Sequence, residues 1–273
     1  MHSTHSLAAI SLAALADLDL GQLTFRWIHL IAGVLWIGML WFFNWVNGAF
    51  AATMDAETKR KVVPELMPRA LYWFRWGAAF TWISGVGLMM LLYYSSKSGY
   101  LLADGTAPEL MDWLPAFIAV LVGFAIYDVL FKFLNKGGAH TGGVLIWAAI
   151  AIAFAYVMQS AWEFSGRAVL IHIGALFGTA MAANVWMRIW PAQKRIITAI
   201  KNGEGPSPAD PALAGLRSKH NTYMSISLLL FMVGVGQPGM FNFNYLQTIA
   251  GVLVISFGLC WMLYAKAKTV PGF

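Results

Sequence analysis

The stretch of residues 24–50, TFRWIHLIAGVLWIGMLWFFNWVNGAF, constrains the fold of this chain more than any other. It carries one cation, Arg26, near its start, and no further formal charge apart from what His29 takes up. About 25 apolar residues in a helix span the roughly 30 Å hydrocarbon core of a bilayer. His29 then lies about one turn inside the membrane, where an ionisable group is costly and usually functional. We therefore expect a partner for this histidine elsewhere in the chain.

The composition places the whole chain in the membrane class. Of its 273 residues, 59% are hydrophobic and 11% are charged, whereas soluble domains carry about 25% charged residues. The net charge of +6 therefore concerns the sidedness of a membrane protein and does not indicate a nucleic-acid partner. The single cysteine, Cys260, excludes an internal disulfide and the C-x-x-C-H sequence that attaches a c-type haem.

Apolar runs predict an all-α, polytopic transmembrane bundle of about seven spans. Residues 1–23 precede it as a periplasmic or interfacial segment, with a short helix expected at 7–18, and residues 269–273 form a C-terminal tail. Asp55 and Asp210 are predicted to cap helices that begin outside the membrane. Within a transmembrane domain at 24–268, the spans are predicted near 24–50, 69–94, 114–134, 144–162, 168–190, 221–235 and 245–264.

Lys and Arg are distributed unequally between the two sides of these spans. Under the positive-inside rule the richer side faces the cytoplasm, so we expect the N-terminus outside and the C-terminus in the cytoplasm. The poorer side holds Arg26, Lys97 and Arg167, whereas the richer side holds Lys59, Arg60, Lys61, Arg69, Lys132, Lys136, Arg188, Lys194, Arg195, Lys201, Arg217, Lys219, Lys266 and Lys268.

A second histidine matches His29 in predicted depth. His172 lies about one turn inside the fifth span, which runs in the same direction as the first. Two neutral imidazoles at one depth could be the axial ligands of a b-type haem or part of a metal site. Gly33 and Trp36 share the helix face of His29, and Gly33 leaves room beside it for a flat macrocycle. The alternative is that both histidines make hydrogen-bonded contacts between helices.

Other polar groups concentrate toward the richer side. Arg75 in the second span and Asp128 in the third form a candidate buried ion pair, for which a purely structural role is the alternative. His140 and His220 lie at the membrane boundary on this side. They could bracket a second site or be ordinary solvated loop histidines.

Four long strings of residues resemble a known family. They are RWIHLIAGVLWIGMLWFFNWVN, VVPELMPRALYWFRWGAAFTWISG, IHIGALFGTAMAANVWMRIWPAQKRII and RSKHNTYMSISLLLFM. Together they are similar to the bacterial membrane-bound urate hydroxylases, in their urate oxidase N-terminal domain. The resemblance implies a protein of the bacterial inner membrane that acts in purine breakdown and oxidises urate to 5-hydroxyisourate. Full-length members resemble a membrane domain joined to a C-terminal cytochrome c domain, so here the electron acceptor is expected to be a separate cytochrome c.

The chain departs from the family pattern at two points. It reaches Phe273 without the additional span and C-x-x-C-H, and the outer end of the sixth span has Gln237 where similar members often carry a histidine. Three functions stay open. The first is a haem-b oxidoreductase or electron-transfer domain with His29 and His172 as axial ligands. The second is a non-catalytic helical subunit of a larger membrane complex, and the third is a copper or other metal transport protein.

Overall fold

Seven long helices make up the computed structural model, which describes residues 19–240 and 244–270. They are α1 (Leu20–Thr53), α2 (Ala56–Leu92), α3 (Leu110–Phe133), α4 (Gly137–Ser160), α5 (Gly166–Lys201), α6 (Ala209–Gly234) and α7 (Tyr245–Ala267). Within those two ranges the only β pairing is one isolated bridge, so the all-α prediction is confirmed. The short helix expected at 7–18 lies outside the described residues.

Five of the helices are long and apolar enough to cross a membrane, namely α1, α3, α4, α5 and α7. Large apolar side chains such as Leu30, Val129 and Ile255 are exposed on the outside of the bundle, which suits contact with lipid. The chain is therefore a multi-pass membrane protein. The other two predicted spans, in α2 and α6, are less apolar because charged and polar residues interrupt their apolar runs.

The start of α2 follows a capping pattern that the sequence predicts correctly. The carboxylate of Asp55 accepts a hydrogen bond from the backbone N–H of Thr58 at 2.7 Å, which satisfies one of the free donors of the first turn. The helix then continues through Pro64 and Pro68. Because these prolines are four residues apart, both missing N–H groups fall on the same face. The polar residues that precede the second predicted span therefore belong to the same helix as the span itself.

The start of α6 differs from the prediction. The helix begins at Ala209, so that Asp210 lies in its first turn and not at the N-cap. The Asp210 carboxylate is engaged instead by the Arg195 guanidinium, whose Nε lies 3.0 Å from Oδ1. This charge-assisted hydrogen bonding holds the pKa of Asp210 below its ordinary value. The ion pair ties the end of α5 to the start of α6.

The central helix of the bundle is α5. Within its apolar window 72% of the residues are buried inside the protein, against 22–28% for the four other apolar helices. Small residues allow α6 to approach it closely. A Cβ on Gly174 would lie 3.0 Å from the Met232 side chain, and one on Gly178 would lie 3.3 Å from Leu228. These two glycines of α5, four residues apart on one face, therefore serve helix packing.

Two helices contain a π-helical turn, α1 at Phe42–Asn47 and α5 at Val185–Ile189. Such turns insert one extra residue per turn, re-aim the side chains around them and are frequent at functional sites. Both turns border the same cavity. Two of the longest helices are thus locally reshaped at one place in the molecule.

The contacts distinguish two ends of the bundle. At one end the loops before α3 and before α5 meet, where the backbone N–H of Ser165 donates to the carbonyl of Leu101 at 2.8 Å. At the other end Asn44 of α1 contacts both Ser218 of α6 and Tyr264 of α7. We call the second end the basic end, because it holds the loops that are richer in Lys and Arg.

Candidate functional site

The face of α1 that carries His29 packs against α2. The His29 Nδ1 atom lies 2.9 Å from the carbonyl oxygen of Thr81 and 3.3 Å from the Ser84 hydroxyl. A Cβ on Gly33 would lie 3.8 Å from the methyl group of Thr81, so the room beside this glycine is taken by α2. Trp36 packs one turn further along, with its backbone nitrogen 3.2 Å from where a Cβ on Gly77 would be. His29, Gly33 and Trp36 share a helix face as predicted, but this face packs against α2 and not against a cofactor-sized space.

His172 is fully buried on α5, and both of its ring nitrogens have partners. Nδ1 lies 2.7 Å from the carbonyl oxygen of Ala168, and Nε2 lies 2.7 Å from the hydroxyl of Tyr94. Since a carbonyl can only accept, Nδ1 carries the proton and Nε2 accepts from the tyrosine. The aromatic rings of Tyr93 and Phe164 complete its surroundings. The side chain that forms a hydrogen bond with His172 is therefore a tyrosine.

The structure does not bring His29 and His172 together as an axial pair. Both donate Nδ1–H to a backbone carbonyl, which leaves Nε2 as the ligating atom and is the tautomer of metal-bound histidines. However, the two histidines contact α2 and the residues after it at different levels. His29 contacts Thr81 and Ser84, whereas His172 contacts Tyr94. At a rise of about 1.5 Å per residue, Tyr94 lies roughly 10 Å or more beyond Ser84 along the axis of α2. The Nε2 atom of His172 is also engaged by Tyr94. Arranged in this way, the two rings do not fit the two sides of one haem iron.

The helix α1 begins at Leu20, four residues before the predicted start of the first span. The predicted match in depth between His29 and His172 stays a prediction. Among the described residues, no group of three or more His, Cys, Asp or Glu side chains could hold a metal ion. Haem binding stays a prediction that spectroscopy can test.

The ion pair predicted between Arg75 and Asp128 is wrong. Asp128 pairs with Arg188, in a two-pronged arrangement, and with Arg217, whose Nη2 lies 3.0 Å from Oδ1. Arg75 instead stacks on the ring of Trp190 at 3.9 Å. The physical reason is that α3 packs against α5 and not against α2, so its carboxylate meets the arginines of α5 and α6.

Two histidines expected at the boundary lie in direct contact. The Nε2 atoms of His140 and His220 are 2.8 Å apart, and the Nδ1 of His220 lies 2.7 Å from the hydroxyl of Tyr127. His220 is only 8% exposed, which rules out the solvated-loop reading for it. Of the two readings that the sequence left open, the structure favours a joint site of His140 and His220.

A network of buried amides continues from this tyrosine. Asn184 donates to the Tyr127 hydroxyl at 3.1 Å and to the Asn221 side chain at 2.9 Å, and Asn221 donates to the carbonyl of Met181. Arg217 also lies over the Tyr127 ring, 5.1 Å from its centroid. These side chains, which we call the polar cluster, are Tyr127, Asp128, His140, Asn184, Arg188, Arg217, His220 and Asn221.

A cavity of about 260 Å³ opens at the basic end on another face of α6. It is bordered by the π turn of α1, by the end of the π turn of α5, and by Ser218. The aromatic rings of Phe43 and Phe74 form one wall, in edge-to-face contact at 5.4 Å. The cavity thus has an apolar aromatic wall beside polar groups.

Carboxamides supply most of the polar lining of this cavity. Asn44 is already engaged by Ser218 and Tyr264, whereas the Asn47 amide contacts only the Met67 sulfur, at 3.9 Å, among the described residues. Gln193 adds another carboxamide. An amide carries both donors and an acceptor, so this lining can recognise a ligand that itself contains ring amides.

The family model described as urate oxidase N-terminal matches residues 52–268 of the chain. The chain belongs to the urate oxidase N-terminal family. Comparison with curated proteins and with solved structures found no match. The matched region of the urate oxidase N-terminal domain includes His172, the whole polar cluster and most of the cavity lining. His29, Gly33 and Trp36 lie before it.

Sequence reasoning singled out His220 of the polar cluster but did not join it to its neighbours Arg217, Asn221 and Arg188. Arg217, His220 and Asn221 are spaced three and four residues apart on one face of α6, and Asn184 and Arg188 have the same spacing on α5. Polar residues recurring at helical spacing within apolar runs are the signal that could have found them. No comparable signal marks the cavity, because it depends on two π turns.

Proposed function

We propose that this chain is a membrane-bound oxidoreductase that oxidises urate to 5-hydroxyisourate and passes the electrons to a separate cytochrome c. Family membership supports urate chemistry. The observation that carries the proposal is the cavity at the π turns, whose size is somewhat below the roughly 300–1,000 Å³ of drug-sized ligand sites. Urate is a flat bicyclic molecule with ring amides. The aromatic side chains of Phe43 and Phe74 offer apolar contact for its rings, and the Asn47 and Gln193 carboxamides suit its amides.

The stoichiometry of the reaction determines which electrons and protons the protein must transfer. Urate and water give 5-hydroxyisourate, two electrons and two protons, so each turnover reduces two molecules of cytochrome c. In the proposed pose the urate ring lies against Phe43, and its amides exchange hydrogen bonds with Asn47 and Gln193. The protein holds the ring, limits access of bulk water and provides a path for the protons.

Haem b is the proposed electron carrier, and its test does not depend on turnover. Purified protein is reduced and its spectrum compared with that of the oxidised form. Because the two rings do not face one iron in the structure, we expect any α-band to survive in at least one of His29→Ala and His172→Ala. Loss of the band in both variants would contradict this arrangement, and a colourless protein removes haem from the proposal.

The orientation belongs to the same proposal. Because the basic end is richer in Lys and Arg, it faces the cytoplasm, and the chain lies in the bacterial inner membrane. The cavity and the polar cluster then open toward the cytoplasmic side.

The proposed activity is tested in membranes that contain the full chain. Urate is added with oxidised cytochrome c, and cytochrome reduction and urate loss are followed together. We expect two cytochromes reduced per urate. In Asn47→Leu, loss of a substrate hydrogen bond of about 0.5–1.5 kcal/mol raises KM for urate about 2- to 10-fold.

The matched control is Asn135→Leu, since this amide bonds only the Lys132 carbonyl on the exposed surface. It should keep the KM of the unmodified protein. Absence of urate-dependent cytochrome reduction would overturn the proposal. An inactive, colourless protein that co-purifies with large membrane proteins would favour the helical-subunit alternative.

A further inference from the structure

The hydrogen bonds of the polar cluster form a continuous chain from the surface into the bundle. His140 is half-buried at the start of α4, His220 is 8% exposed, and Tyr127 is 1% exposed. The two links, His140–His220 and His220–Tyr127, measure 2.8 and 2.7 Å. All three side chains can both donate and accept a proton. The line therefore has the composition of a proton path.

Counting donors and acceptors leaves two consistent directions for the bonds of the line. Asn184 donates to the Tyr127 oxygen, so the tyrosine proton is free to go to His220 Nδ1. His220 then carries its own proton on Nε2 and donates it to His140 Nε2, which leaves the protonated Nδ1 of His140 on the surface side. The opposite polarity, with both histidines donating inward, satisfies the same two contacts. The line thus has two states that differ only in the positions of protons.

Charges around the two rings disfavour a stored positive charge. Arg217 and Lys219 lie beside them on α6, and Arg188 of α5 faces the same cluster. Among the described residues the one carboxylate facing the cluster, Asp128 of α3, is engaged by both arginines. The α3 ring of Phe131 covers His220 at 4.3 Å. Like charges at this range repel. The histidines are therefore suited to pass a proton on and not to hold it.

The inner end of the line has unused polar groups. Arg217 is 2% exposed, yet its Nε and Nη1 have no hydrogen-bond partner among the described residues, and the same holds for Oδ1 of the fully buried Asn184. Leaving such groups dry costs about 1–3 kcal/mol each, and buried water commonly satisfies them. Both groups adjoin Tyr127. The interior end of the line is thus polar enough to hold the water that would feed it protons.

We propose that Tyr127, His220 and His140 form a proton path between the interior of the bundle and the water at the basic end. The inference rests on the proposed function, since urate oxidation releases two protons per turnover. In one passage a proton reaches the Tyr127 oxygen as the tyrosine proton moves to His220 Nδ1. The His220 Nε2 proton moves to His140 Nε2, and the Nδ1 proton of His140 leaves to water. Tautomer exchange in the two imidazoles and rotation of the Tyr127 hydroxyl then restore the first polarity before the next passage.

Turnover of the full-length protein in membranes tests this path through its outermost member. His140→Ala should lower kcat for urate about 10- to 100-fold, within the range of general acid–base effects, and leave KM for urate unchanged. Added imidazole should restore much of the rate in His140→Ala. The solvent deuterium isotope effect on kcat should increase in His140→Gln, which keeps a polar side chain but cannot relay a proton.

The matched control is Lys136→Gln, which removes a charge one turn from His140 without touching the line. A His140→Ala protein with the kcat and pH profile of Lys136→Gln, measured beside active unmodified protein, overturns the proton path and leaves the proposed function standing. If the unmodified protein is itself inactive, the proposed function is contradicted, and this experiment does not bear on the path.

A measurement that does not depend on turnover separates failure of the proton path from failure of the proposed function. In spectra of protein labelled with ¹⁵N-histidine at neutral pH, His220 should be neutral, with one nitrogen protonated. Tyr127→Phe and His140→Gln should each shift its nitrogen resonances. A doubly protonated His220, or resonances unchanged in both variants, contradicts the path whether or not urate is turned over.

Discussion

At the scale of single residues, the membrane makes polar side chains informative but leaves their partners undetermined. His29, His172 and Asp128 could be singled out from the sequence because an ionisable group in an apolar run is costly. Their partners are Thr81, Tyr94 and the pair Arg188 and Arg217. A sequence gives the depth of a residue along its helix, but its neighbours depend on the rotation of that helix.

Asp128 should be the most sensitive carboxylate of the described chain. Asp128→Asn leaves Arg217, which is 2% exposed, without its counter-charge. Removing one partner of a buried ion pair costs about 3–5 kcal/mol, and we expect about 2–3 kcal/mol because the Asp128 side chain is 14% exposed. The measurement is the thermal midpoint of the purified protein in detergent, which should fall by several degrees.

Glu65→Gln provides the comparison for that experiment. Glu65 and Arg69 also form an ion pair, but both side chains are more than 70% exposed, where such pairs contribute little. Its midpoint should match that of the unmodified protein. Equal midpoints for the Asp128 and Glu65 variants would show that the Asp128 pairs do not stabilise the fold.

At the scale of helices, hydrophobic periodicity and capping residues predict that a helix is present better than they predict where it ends. The cap at Asp55 was predicted correctly, yet the same helix runs through Pro64 and Pro68, where a proline normally signals an end. The π turns in α1 and α5 were not predicted, since nothing in the sequences FFNWVN and VWMRI distinguishes a π turn from an α turn. The cavity that they border was therefore beyond reach from the sequence.

The contact between α1 and α2 depends on Gly77. A Cβ at this position would lie 3.2 Å from the backbone nitrogen of Trp36, and a helix backbone cannot rotate away as a side chain can. We expect Gly77→Ala to destabilise the protein by about 1–2 kcal/mol, as overpacking usually does. Gly258→Ala in α7 is the control, because nothing lies within 4 Å of its Cβ, and its thermal midpoint should be equal or slightly higher. An unchanged midpoint in Gly77→Ala would contradict the close packing.

At the scale of the whole molecule, the division into two ends was the most predictable feature. The loops before α3 and before α5, which alternation of the apolar runs assigns to one side, meet through the hydrogen bond between Ser165 and Leu101. Composition, with 59% hydrophobic residues, already requires a bilayer. Which face of each helix contacts which neighbouring helix could be learned only from the structure.

The orientation of these ends can be measured with one new cysteine at a time. Asp104→Cys places a thiol in the loop before α3, and Lys136→Cys places one in the turn before α4. A membrane-impermeant thiol reagent should label Asp104→Cys in intact cells, and Lys136→Cys only after permeabilisation. The native Cys260 is buried, so the unmodified protein serves as the unlabelled control. The reverse pattern would invert the proposed orientation.

The burial of α5 has a consequence for how the protein is made. A helix surrounded by other helices meets little lipid, so it can carry Asn184 and Arg188 that a lipid-facing helix could not. During synthesis, however, α1 to α4 are made before their central neighbour exists. A nascent chain halted at Ser160 should therefore remain an unassembled set of hairpins, a substrate for quality-control proteases, until the fifth helix arrives.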